Sequence, residues 1–172
     1  DRVLAINGRG HTAAQVEDAA RRIHAQGFSL GLQMMTGLYG DTPAGAEYTA
    51  RRLAALEPDT VRIYPTIVMR GTELEEKYRS GAYRPMALED AVELCSRLLA
   101  FFGSRGIRVI RLGLHSTPEL ERGRVAGPWH PAFRELCESK RMFLRLMEIL
   151  EGNQVSKGTI EIKVNPKIQS KV

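Results

Sequence analysis

Cysteine is scarce in this chain of 172 residues, and long apolar runs are absent. Only Cys95 and Cys137 occur, both in helical patterns, so a disulfide framework is excluded and no CxxxCxxC motif for an iron-sulfur cluster is present. No apolar run approaches the roughly 18 residues that cross a bilayer, and the N-terminus lacks a secretory pattern. We therefore expect a soluble cytoplasmic protein with no membrane partner.

Recognisable catalytic motifs are missing as well. No cluster of His, Cys or Asp has the spacing of zinc ligands, and no GxSxG nucleophile motif occurs. The glycines of residues 37–42 suggest a phosphate loop, but the lysine and the spacing of a Walker A motif are absent. The sequence thus predicts no metal site and leaves the catalytic residues unknown.

The composition is that of an ordinary globular domain. Apolar residues make up 43% and charged residues 26%, and this length favours one domain over two. The net charge of +5 favours anionic partners without proving nucleic-acid binding. The chain opens on Asp1 rather than methionine, which suggests a piece of a longer protein.

Capping signals and apolar periodicity divide the chain into alternating helices and strands. Thr12 and Gln15 form a capping box that opens a helix ending near Gln26, with Gly27 as its left-handed stop. The other predicted segments are a strand over 28–35, a helix from 43 to about 57, a strand over 60–64, a helix from a capping box at 72–75 to 81, a helix over 88–102 and a strand over 107–112. This alternation predicts an α/β fold with a parallel sheet.

After residue 115 the regular alternation lapses. Residues 116–131 are predicted to form a long loop, residues 133–150 a long helix, and residues 159–164 an edge strand. We expect residues 1–115 and the C-terminal extension 116–172 to belong to the same domain.

Polar residues at strand ends are the candidates for binding, because loops there converge in parallel α/β folds. Gln33 lies inside an apolar strand, so its amide requires partners, which a ligand, the backbone or water could supply. Arg111 and His115 follow the last strand, and Arg122, Arg124 and His130 come after them. Guanidinium groups suit carboxylates and phosphates, although a solvated basic surface is the alternative for each. The loop over 37–42 is either an anion-binding turn or a plain strand-to-helix connection.

Three segments carry a resemblance: QMMTGLYGDT over 33–42, RIYPTIVMRGTEL over 62–74 and VIRLGL over 109–114. Together they resemble the later strands of radical S-adenosylmethionine (SAM) enzymes, in the branch shared by the catalytic subunit of Elongator and oxygen-independent coproporphyrinogen oxidase. The Tyr-Pro strand end followed by Arg-Gly-Thr is most like the Elongator type. AINGRGHT over 5–12 also matches both groups.

The resemblance implies the later half of a partial TIM-like (β/α) barrel, with a [4Fe-4S] cluster held by an N-terminal part that this chain lacks. It implies reductive cleavage of SAM to a radical that abstracts hydrogen from the substrate. By matching positions, Gln33 falls near the SAM ribose and Arg9 near the cofactor, while Tyr64 and Arg111 face the same mouth. Arg70 and His115 are implied at its substrate side.

The leading hypothesis is therefore a fragment of a radical SAM enzyme that acts on an anion such as tRNA or a porphyrinogen. The fragment alone is expected to be inactive, to bind neither SAM nor a cluster, and to favour homodimers through its exposed barrel edge. The alternative is a non-catalytic basic module that binds RNA or another anion.

Overall fold

The computed structural model describes residues 1–152, so the predicted edge strand over 159–164 lies outside the described residues. The elements are α1 (Arg2–Ile6), α2 (Ala13–Ala25), β1 (Gly31–Thr36), α3 (Pro43–Ala54), β2 (Thr60–Pro65), β3 (Val68–Met69), α4 (Glu73–Arg79), α5 (Leu88–Gly103), β4 (Arg108–Leu112), α6 (Pro118–Gly123), β5 (Arg124–Ala126) and α7 (Phe133–Gly152). No helix in this part of the chain is long and apolar enough to cross a membrane.

The central sheet has three strands in the order β1-β2-β4, and both pairs are parallel. This confirms the predicted α/β fold with a parallel sheet, because each strand is followed by a helix that returns the chain to the same end. Three strands do not close a barrel, so the barrel geometry stays an expectation.

The two faces of this sheet differ. On the covered face, apolar side chains pack under the helices: Leu32, Met34, Val61, Ile63, Val109 and Leu112. Helix α3 packs on β1, and α5 and α7 pack on β4. The side chains of the open face alternate with these and include Gln33, Arg62 and Ile110, which are exposed.

Two element boundaries differ from the prediction. Strand β1 begins three residues after Phe28, because the carboxylate of Asp59 accepts hydrogen bonds from the Ser29 hydroxyl and the Leu30 amide and fixes the turn before it. Helix α3 ends at Ala54 instead of near residue 57, and Glu57 takes a left-handed backbone with φ of 49°. Both ends are decided by turns that apolar periodicity does not reveal.

The segment predicted as a loop over 116–131 contains regular structure. It holds α6, opened by a Thr117 cap, and β5, which pairs antiparallel with β3. The Arg70 amide extends this pairing by donating to the Gly123 carbonyl at 2.7 Å. Elements this short leave almost no periodic signal, and the same holds for α1.

The two capping boxes have different outcomes. At α2 the box is complete, because the Thr12 hydroxyl accepts from the Gln15 amide and the Gln15 side chain accepts from the Thr12 amide. At α4 the Thr72 hydroxyl caps the helix, but the Glu75 carboxylate turns to the Gly71 amide at 2.7 Å. The second box is therefore only half formed.

The long C-terminal helix was predicted correctly, and α7 packs against α5. Cys95 and Cys137 are free thiols buried at this contact, where the Ser96 hydroxyl donates to the Cys137 carbonyl at 3.0 Å. Contact with Cys95 and burial both raise the pKa of the Cys137 thiol. The prediction that both cysteines act as small core residues is confirmed.

Candidate functional site

A polar row crosses the open face of the sheet. In the strand register Gln33 lies beside Arg62, and Arg62 lies beside Arg111. Tyr64 follows one step closer to the carboxyl end of the sheet, beside Met35. The structure therefore brings Gln33, Tyr64 and Arg111 to one face of the sheet, with Arg62 between Gln33 and Arg111.

Gln33 is exposed, and its side-chain carboxamide makes no hydrogen bond within residues 1–152. The alternative in which a buried Gln33 satisfies backbone groups is therefore wrong. Its position follows from the strand period of two, since its neighbours Leu32 and Met34 occupy the covered face. An exposed amide on a sheet face is free to donate to and accept from a ligand.

The loop over residues 37–42 forms the rim at the end of β1. The Gly37 amide donates to the Asp41 carboxylate at 3.2 Å, and the Gly37 carbonyl accepts from the Tyr83 hydroxyl at 2.6 Å. Gly37 has a φ of +72°, and a Cβ there would lie 2.9 Å from the sulfur of Met86. The Thr42 hydroxyl accepts from the Gly45 amide and caps α3. Because the Gly37 amide is bonded within the loop and the Gly45 amide is bonded to the cap of α3, the structure favours the connecting turn over an anion-binding loop.

Electrostatics at this rim follow from burial. Tyr83 is 7% exposed, and burial together with the nearby Asp41 charge raises the pKa of its phenol to about 12. Burial also raises the pKa of Asp41, against the opposing effect of hydrogen bonds from the Thr42 and Gly37 amides. Tyr83 therefore remains a neutral hydrogen-bond donor at physiological pH.

Arg9 is exposed and lies beyond α1, not on the sheet. Its segment is tied to the rim, because the Asn7 amide donates to the Tyr39 carbonyl at 2.9 Å and the Arg2 guanidinium donates to the Gly40 carbonyl at 2.8 Å. The structure thus places Arg9 near the rim loop through its neighbours. It shows no hydrogen bond from the Arg9 side chain to a described residue.

The three remaining candidate arginines, Arg70, Arg122 and Arg124, lie at the β3–β5 pair. The backbone amide of Arg70 donates to the Gly123 carbonyl, and this bond brings Arg70 beside Arg122 and Arg124. The Arg124 guanidinium lies 4.9 Å from the centre of the Trp129 ring, while Arg122 pairs with Glu119 at 3.5 Å. His115 is exposed after β4, and His130 binds the Ala132 amide through its ring. These residues lie on segments that follow the carboxyl ends of β2 and β4, where Glu75 and Glu119 offset part of their positive charge.

Metal ligation has no support in the part of the chain that the structure describes. No group of His, Cys, Asp or Glu in residues 1–152 could hold a metal ion. The two cysteines do not fit an iron-sulfur cluster either, because both are buried between helices and a third is absent from the sequence.

Two features of the open face escaped the sequence analysis. Arg62 interrupts an apolar strand as Gln33 does, so the same criterion could have found it. The register shift that sets Arg111 beside Arg62 is visible only in the structure, where Val109 and Leu112 are both buried although they lie three residues apart. A regular strand would bury residues two or four apart.

Comparison with known proteins identifies the family. Residues 58–142 match the family described as the Radical_SAM C-terminal domain. An uncharacterized protein of Methanocaldococcus jannaschii is 31% identical over 118 residues, which are 69% of this chain and 36% of that protein. The human Elongator complex protein 3 is 36% identical over 97 residues, which are 54% of this chain and 17% of that protein. A tRNA uridine(34) acetyltransferase of M. jannaschii is 30% identical over 97 residues, which are 55% of this chain and 18% of that enzyme.

The chain thus spans about a third of the first of these relatives and less than a fifth of the other two. The matches agree with the resemblance carried by the Tyr-Pro and Arg-Gly-Thr segment, which lies inside the matched family domain. They support the Elongator-like side of that resemblance and give no support to a porphyrinogen substrate or a homodimer. The chain belongs to the radical SAM superfamily, in its Elongator-like branch, and corresponds to the C-terminal part of these proteins.

Proposed function

We propose that the full-length protein is a radical SAM enzyme whose [4Fe-4S] cluster is bound by residues outside this chain. The family match supports the enzyme class, and the name of one relative, a tRNA uridine(34) acetyltransferase, supports a tRNA-like anionic substrate. With two buried cysteines, this chain cannot hold the cluster and should be inactive alone. Residues 1–115 would form later barrel units, and residues 116–172 an extension of the same domain.

The observation that carries this proposal is the open face of the sheet. Within residues 1–152, Gln33 and Arg62 are exposed on this face and Tyr64 and Arg111 are half-buried, which suits the interior wall of a barrel whose other strands lie outside this chain. Bound SAM and its cluster supply hydrogen-atom abstraction. The residues of this chain would bind and orient: the Gln33 amide toward the ribose, Tyr64 and Arg111 at the mouth, Arg9 from the rim, and Arg70 and His115 on the substrate side.

The first experiment concerns the complete gene product. Anaerobic reconstitution should give a brown protein that cleaves SAM after reduction, and its sequence should contain a CxxxCxxC motif upstream of this chain. A colourless full-length protein without three suitably spaced cysteines would exclude the enzyme and leave the basic binding module.

Gln33→Ala tests the cofactor contact in that protein. Loss of one or two hydrogen bonds should weaken SAM binding by about 1 to 3 kcal/mol. Folding stability should hardly change, because the Gln33 side chain is exposed and makes no hydrogen bond within the described residues. Gln26→Ala, at an exposed glutamine beyond α2, is the matched control. Unchanged SAM affinity would remove Gln33 from the site.

The alternative function is capture of an anion without chemistry. It is favoured by the net charge of +5 and by the arginines at the β3–β5 pair. Salt-dependent RNA binding by this chain, combined with a full-length protein that lacks the cluster motif, would support it.

A further inference from the structure

A register shift places two arginines side by side on the open face. Val61 pairs with Val109, but the next residue, Arg62, pairs with Arg111, so Ile110 is an extra residue in β4. Without it, Arg62 would lie beside Ile110, and Arg111 would point to the covered face beside Ile63. The bulge therefore turns Arg111 onto the open face and leaves Leu112 in the core.

These two guanidinium groups have no partner in residues 1–152. Neither makes an ion pair or a side-chain hydrogen bond there, although nine ion pairs form elsewhere in this part of the chain. Within the described strands the open face carries no carboxylate: its side chains come from Gln33, Met35, Thr60, Arg62, Tyr64, Arg108, Ile110 and Arg111. The backbones of neighbouring strands lie about 4.8 Å apart, so the two guanidinium groups can approach each other, and an anion between them would offset the repulsion of their like charges.

We infer that Arg62 and Arg111 form a clamp for a phosphate group of the substrate. A bulge that brings a second arginine beside the first creates a dicationic site, and bulges of this kind re-aim side chains next to functional sites. A phosphate presents three or four oxygens in a tetrahedron, so guanidinium groups on two strands bind it from two sides. A single carboxylate offers one planar edge and is filled by one guanidinium.

The role of this clamp in substrate binding depends on the proposed function, whereas the binding itself does not. The exposed Gln33 amide continues the row on the third strand, so a phosphate held by the arginines lies next to the proposed ribose contact. The clamp is thus suited to fixing the substrate's position relative to the cofactor.

The experiment is a titration of the full-length protein with pyrophosphate, followed through the arginine side-chain resonances. Arg62→Gln and Arg111→Gln should each weaken binding about tenfold, as expected for loss of a charge-assisted hydrogen bond. Arg108→Gln is the matched control, since Arg108 lies on the same face of β4 beside Thr60 and carries the same charge. It should change binding less than about twofold.

Two further titrations identify the anion. Binding of a short RNA hairpin that falls in both variants, with a salt dependence reduced by about one ion per arginine, assigns the phosphate to RNA. Binding of pyrophosphate without the hairpin assigns it to a small phosphate ester. Malonate binding as tightly as pyrophosphate would overturn the phosphate assignment.

Equal losses in the Arg108 variant, or no loss in the other two, would overturn the clamp itself. Its failure is distinguishable from failure of the proposed function. A full-length protein that does not cleave SAM refutes the enzyme but leaves an arginine-dependent phosphate site intact. A full-length enzyme that cleaves SAM, with pyrophosphate binding insensitive to both arginines, refutes the clamp alone.

Discussion

The covered and open faces of one sheet are made from the same three strands, yet they have opposite properties. On the covered face Val61 and Ile63 are fully buried, whereas on the open face Ile110 is 48% exposed and Arg62 lies beside Arg111. Burial of apolar area on the covered face stabilises the fold, whereas repulsion between like charges on the open face destabilises it. The comparison indicates that the covered face maintains the fold, and it supports the proposal that the open face binds a ligand.

The largest expected effect on stability comes from comparing the same substitution, isoleucine to alanine, on the two faces. Ile63→Ala should lower the free energy of unfolding by about 2 to 5 kcal/mol, because it opens a cavity in a closed core. Ile110→Ala removes the same atoms from a half-exposed position and should cost less than about 1 kcal/mol. Urea denaturation measures both. Equal losses would mean that the open face is packed in solution, for instance against a second copy of the chain.

The rim joins the two faces and should give an intermediate effect. Tyr83→Phe removes the donor to the Gly37 carbonyl and should cost about 1 to 2 kcal/mol in unfolding free energy. Tyr48→Phe is the control, because Tyr48 is 53% exposed and its hydroxyl bonds the Arg52 side chain at the surface. That change should cost less than about 0.5 kcal/mol. A loss at residue 83 no larger than at residue 48 would show that the rim loop holds its shape without this bond.

The covered face was predictable from sequence and the open face only in part. Apolar spacing located the main helices and the parallel strands, because core packing imposes periods of 3.6 and 2 on the residues. Gln33 was placed on the correct face by its polarity inside an apolar strand. The β3–β5 pair was missed because its strands are two and three residues long.

The bulge was missed for a different reason. Its cause lies in the pairing between β2 and β4, and such a pairing is not a property of either segment alone. The neighbourhood of Arg62 and Arg111 therefore required the structure. The roles of the site residues stay predictions until SAM and phosphate binding are measured.

The smallest expected effect concerns the charges of the open face and tests whether their repulsion lowers the free energy of unfolding. Arg62→Gln relieves repulsion from Arg111 and should leave the free energy of unfolding unchanged or raise it by up to about 1 kcal/mol. The double variant with Arg111→Gln should gain no more than either single change, because both remove the same repulsion. Salt should shrink the difference, since screening weakens repulsion between exposed charges. Arg52→Gln, which breaks a surface ion pair with Glu17, should instead lower the free energy of unfolding slightly. A loss above about 1 kcal/mol at Arg62 would assign that residue to the fold, and the open face would then resemble the covered face more than its charges suggest.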